Sequence, residues 1–84
     1  MTIDEFWAKY EETLARCMED KPHEYMMRDA KVVTARIRAR FEATGNSLRG
    51  INIDGSAFKS LARQLGIKNT YKAWKEFIDQ LATT

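Results

Sequence analysis

Cys17 is the only cysteine and His23 the only histidine. A thiolate–imidazole nucleophile would have to be built from this pair. That chemistry needs a depressed thiol pKa and a base within hydrogen-bond reach. Cys17 instead falls on the apolar stripe of a predicted helix, which points to a buried, inert thiol. His23 falls at a predicted helix start and reads as a surface residue. One His and one Cys do not furnish a usual zinc site. Asn52-Ile53-Asp54-Gly55 has part of the spacing of a calcium loop, but Leu61 stands where the closing Glu is required. Neither GxxxxGK nor GxSxG occurs, and no two carboxylates are paired by spacing. The expectation is a non-enzymatic protein with no catalytic residue, no metal and no cofactor.

The remaining chemistry is that of polyanion binding. Arg36, Arg38 and Arg40 occupy alternate positions, with Arg28 and Lys31 just before them. In a strand the three arginines form one exposed row, a comb for phosphates. On a helix they spread around three sides. Two aromatic clusters, Phe6/Trp7/Tyr10 and Tyr71/Trp74/Phe77, have the π faces that stack bases. At helical spacing they read as core. Charge is split along the chain. Residues 1–24 carry three bases and seven acids, and residues 25–84 carry eleven bases and five acids, within a total of +2. A phosphate-bearing partner would therefore meet the later residues. Glu5, Glu12 and Glu19 lie on the first helix and would imitate phosphates towards a basic protein partner.

These residues need elements to position them, and the chain has 84 residues for the purpose. That is enough for one small domain, 1–84, with one core. With 44% hydrophobic and 31% charged residues, the composition is that of a globular protein. The apolar runs are far shorter than the roughly 20 residues of a membrane span. The start, MTIDEF, has early acids and no apolar stretch of the signal-peptide kind. A single cysteine suits a reducing compartment. Together these features predict a cytoplasmic protein with no membrane partner.

The fold class expected is all-α, a small bundle of about four helices near 3–19, 22–43, 55–65 and 70–82. Thr2-Ile3-Asp4-Glu5 matches a capping box. Ile3, Phe6, Trp7, Tyr10, Leu14, Cys17 and Met18 then share one helical face, while Glu5–Lys9 and Glu12–Arg16 form i, i+4 pairs on the other. Lys21-Pro22 suits a second helix start with Asp20 as cap. Met26, Ala30, Val33, Ile37 and Phe41 would line one side of that helix. Val32, Ala35, Ala39 and Tyr25 would line the other, the pattern of a central helix or of a homodimer seam. The alternative is an α+β fold with a hairpin at 33–53, because Val33 to Phe41 also alternates with strand period. The loop 45–54 should tuck Leu48, Ile51 and Ile53 inward. Asp54 is a candidate cap for the third helix, Gly66 its stop, and Asn69 a cap for the fourth. The expected core is Trp7, Leu14, Val33, Ile37, Phe58, Leu61, Leu65, Trp74 and Phe77.

Within this plan, Ala62, Gly66 and Ile67, flanked by Leu61 and Leu65, have the spacing of a small residue, a left-handed turn and an apolar residue. On these positions residues 58–78 resemble the helix-turn-helix DNA-binding family. In the second helix Tyr71, Trp74 and Ile78 each come one position earlier than that family's pattern. The resemblance implies a regulator-type protein whose C-terminal hairpin reads DNA with Lys68, Asn69, Thr70 and Lys72, while Arg36, Arg38 and Arg40 hold phosphates. A face carrying Lys72 and Lys75 beside Glu76 and Asp79 is neutral, which counts against groove entry. In size, split charge and absence of motifs the chain is also similar to small accessory proteins of phages and mobile elements, anti-CRISPR proteins among them. That likeness implies an inhibitor or adaptor that occludes a protein partner. A structural or assembly subunit is the third reading.

Overall fold

Thr2 and Glu5 close the capping box that opens the first helix: Glu5 N–H donates to Thr2 Oγ1 (3.1 Å) and Thr2 N–H to the Glu5 carboxylate (3.2 Å). The computed structural model describes residues 1–25 and 28–82. It contains α1 (Ile3–Asp20), α2 (Ala30–Ala43), α3 (Ser56–Leu65) and α4 (Tyr71–Ala82). The protein is a small all-α bundle, with no strand among the described residues. The hairpin alternative at 33–53 is excluded, because α2 runs through the alternating segment.

α1 is the hub. It brings Cα atoms within 8 Å of each of the other three helices, and among the described residues no other pair of helices approaches so closely. Its apolar face explains this role. Phe6, Trp7, Tyr10 and Leu14 are buried, with Ile3, Cys17 and Met18 packed at the edge. The rings form a closed circuit of tilted and edge-on contacts. Phe6 meets Trp7 and Trp74, Trp74 meets Phe58, Phe58 meets Tyr10, and Tyr10 returns to Trp7, with centroids 4.8–5.7 Å apart. Such geometry sets the positive ring edge against the negative face. Both aromatic clusters thus serve the core, Tyr71 excepted.

Two sequence expectations for α2 are corrected. Pro22 does not begin the helix; it ends α1. A residue before proline is driven out of the α region, and Lys21 has φ −131° and ψ 64°. Residues 22–25 form a turn, and Asp20 lies inside α1 and caps nothing. α2 starts only at Ala30, where Asp29 accepts from Lys31 N–H (2.8 Å). Met26, assigned to the apolar side of α2, lies outside the described residues. The core forecast is also adjusted. Trp7, Leu14, Phe58, Leu61 and Trp74 are buried, whereas Val33, Ile37, Leu65 and Phe77 are only half-buried at the rim. α2 contributes Phe41 and Thr34 instead. Glu5 is occupied by the capping box, so the expected Glu5–Lys9 pair is not found, while Glu12–Arg16 is present.

The loop after α2 is irregular and well anchored. Leu48, Ile51 and Ile53 are buried, as expected. At the end of α3, Gly66 takes the left-handed conformation (φ 70°), Gly66 N–H reaches Arg63 O, and Ile67 N–H reaches Ala62 O (3.0 Å). This pair of bonds is a Schellman closure, and a side chain at Gly66 would strain it.

A basic groove between the 45–50 loop and α4

Asn69 does not cap α4. Thr70 does, with its hydroxyl accepting from Ala73 N–H (3.2 Å). Asn69 clamps the loop instead: its Nδ2 donates to Ile53 O (2.8 Å) and its Oδ1 accepts from Trp74 Nε1 (2.8 Å). Tyr71 Oη donates to Ile51 O (2.5 Å). Two residues from the α3–α4 connection and the start of α4 therefore fix the backbone of the loop. α3 likewise starts without the expected cap: Gly55 stands at that position and Asp54 makes no capping bond. Asn52 Oδ1 accepts from Asp54 N–H (2.9 Å), an Asx turn that uses the segment once compared with a calcium loop.

Pinning the loop against α4 leaves a groove of about 830 Å³. Arg49 lines it from the loop, and Tyr71, Lys72, Lys75, Ile78 and Asp79 from α4. Tyr71 is 51% exposed, one of few large apolar side chains on the surface. Arg49 and Lys72 are exposed and make no ion pair with a described residue. Lys75 Nζ donates to Asp79 Oδ2 (2.8 Å), and that bond raises the lysine pKa. The groove thus holds three cations and one carboxylate, and the carboxylate is matched to one of them.

The residues singled out from sequence fall in different places. Arg36 and Arg40 lie a turn apart on the exposed side of α2, without ion-pair partners among the described residues. Arg38 points elsewhere: its guanidinium hydrogen-bonds Asp4 of α1 and Glu42 of α2. Those bonds, the one to Asp4 first, raise its pKa. The three arginines do not form one row. Lys68 is exposed, Asn69 and Thr70 are engaged as described, and Lys72 enters the groove. On α1, Glu5 serves the capping box, Glu12 pairs with Arg16, and Glu19 is exposed. Arg49, Tyr71 and Lys75 were not assigned to a site from sequence. Arg49 was legible in principle, because Leu48 and Ile51 point inward and the residue between Leu48 and Gly50 is left facing out.

The Cys17 thiol is not tuned for nucleophilic chemistry. Burial, then Asp20, raise the Cys17 thiol, against a smaller opposing effect of Lys21. A raised thiol disfavours the reactive thiolate. Among the described residues no three His, Cys, Asp or Glu side chains are gathered as a metal site. No helix among them is long and apolar enough to cross a membrane. Comparison with protein-family models, curated proteins and solved structures finds no match.

Proposed function

We propose that the chain is a non-enzymatic nucleic-acid-binding protein that grips phosphates through the groove between the 45–50 loop and α4. The observation that carries this reading is the grouping of Arg49, Lys72 and Lys75 around an exposed tyrosine in a concave, pre-formed site. Cationic side chains along a groove are the electrostatic footprint of polyanion binding. The grip is on the backbone. Of the four residues placed at the start of the reading helix, Asn69 and Thr70 are engaged internally, and the two lysines are point charges suited to phosphate. Arg36 and Arg40 supply a second exposed pair on α2 that would meet phosphates further along a strand.

The test is fluorescence anisotropy with labelled oligonucleotides over a salt series. Wild type should lose affinity steeply with salt. Arg49→Glu with Lys72→Glu should weaken binding at every salt concentration and lower the log–log slope by about two, one for each lost phosphate contact. Arg38→Gln should matter less than Arg36→Gln or Arg40→Gln, since Arg38 already has two carboxylate partners. An absence of binding at low salt would overturn the proposal. It would favour the protein-partner reading, for which the exposed strip of Val32 (53%), Ala35 and Ala39 on α2 speaks.

A further inference from the structure

We propose that the groove receives an unpaired base on the ring of Tyr71, so that its ligand is single-stranded rather than duplex nucleic acid; this rests on the phosphate-binding reading above. Three features of the site point this way. The Tyr71 ring is half exposed, whereas Phe6, Trp7, Phe41, Phe58 and Trp74 are buried in the core. It is also held in place, because its hydroxyl donates to Ile51 O (2.5 Å). A ring whose orientation is already fixed loses little entropy on stacking. Lastly, Tyr71 lines the same groove as Arg49, Lys72 and Lys75.

That arrangement discriminates between ligands by shape. In a duplex the bases are stacked and their faces covered, so a ring lining a groove has no free π surface to meet. A single strand can turn one base inward while its phosphates run past flanking cations. The outward face of α4 supports the same choice. Glu76 is exposed there, outside the groove, and would oppose the closely spaced phosphates of a duplex laid along the helix.

The experiment compares an oligothymidine strand, an abasic strand of equal length and a duplex of equal length, with anisotropy read at matched salt. Wild type should prefer oligothymidine to both. The abasic strand should bind roughly 5- to 150-fold more weakly, the range that one to three kcal/mol of stacking implies, with the same salt slope. Tyr71→Phe keeps the ring and should retain most of that preference. Tyr71→Leu should abolish it, so that oligothymidine binds that variant no more tightly than the abasic strand does, and a thermal melt checks that the variant is folded. Equal binding of abasic and oligothymidine strands would overturn the inference and leave the phosphate-binding reading standing. So would a duplex bound as tightly as the single strand. If none of the three probes binds at low salt, both readings fall together.

Discussion

The loop 45–54 and helix α2 reverse the usual association of regular structure with burial. α2 satisfies its backbone internally, yet most of its side chains are exposed, and Phe41 and Thr34 are its buried members. The loop has no regular secondary structure, yet Leu48, Ile51 and Ile53 are in the core. Its carbonyls at Ile51 and Ile53 are taken up by Tyr71 and Asn69. Side-chain donors replace the helical ladder there, which is what a partly buried irregular segment requires. The clamped loop forms one wall of the groove and carries outward groups such as Arg49 on it. α2 offers exposed charge on one regular face and lines no part of the groove.

This contrast can be broken by substitution, with the largest effect expected in the loop. Ile53→Ala should cost about 2–5 kcal/mol in chemical denaturation, as for other buried Ile truncations. Val32→Ala in α2 should change stability by less than about 0.5 kcal/mol, as exposed substitutions do. Equal losses at the two sites would mean that the loop is not part of the core. Asn69→Ala should come next, at about 1–3 kcal/mol, because it leaves Ile53 O and Trp74 Nε1 without their partner. A wild-type melting curve for that variant would show that the loop stands without its clamp and would return Asn69 to the list of residues free to bind a ligand.

A third expectation concerns the core that both regions share. Burial, and then the neighbouring Tyr25 and Cys17, raise the Tyr10 pKa well above its ordinary value. The unfolded chain loses this proton near pH 10 while the folded chain keeps it, so the unfolded state binds fewer protons above that pH. Stability contributed by Tyr10 is thus intact below pH 10 and falls above it, by up to about 1.4 kcal/mol per pH unit. Tyr10→Phe should remove that part of the alkaline loss; an unchanged slope between pH 10 and 11 would contradict the assignment. A gain rather than a loss is expected in α2. Thr34 Oγ1 is buried without a hydrogen-bond partner among the described residues, as is Trp7 Nε1. Thr34→Val keeps the shape and removes the unsatisfied hydroxyl, and should raise stability by about 1 kcal/mol. A destabilised variant would mean that the hydroxyl is solvated after all.

Much of this organisation was legible in the sequence where a local rule had no rival. The capping box at Thr2–Glu5, the stripe from Ile3 to Met18 and the stop at Gly66 each follow from a few adjacent residues, and the helices they delimit are present. The inward turn of Leu48, Ile51 and Ile53 followed from their being the apolar residues of an otherwise polar, glycine-containing loop. The start of α2 was misread because Pro22 can either open a helix or close the preceding one, and the identity of the residue alone does not decide. Asn69 was misread for a similar reason. Its amide suits a cap, a base edge or a loop carbonyl, and only the fold brings Ile53 O within 2.8 Å. The groove itself was not legible, because Arg49 and Lys72 are far apart in sequence and meet only across the clamped loop.

Mapping of backbone amide shifts by NMR during titration with oligothymidine tests the central claim most directly. Binding in the groove predicts the largest shifts at residues 45–50 and 71–75, with weaker ones at Arg36 and Arg40 and none along the acidic side of α1. Shifts centred on Glu12 and Glu19, or on Val32 and Ala39, or a spectrum unchanged at low salt, would contradict it.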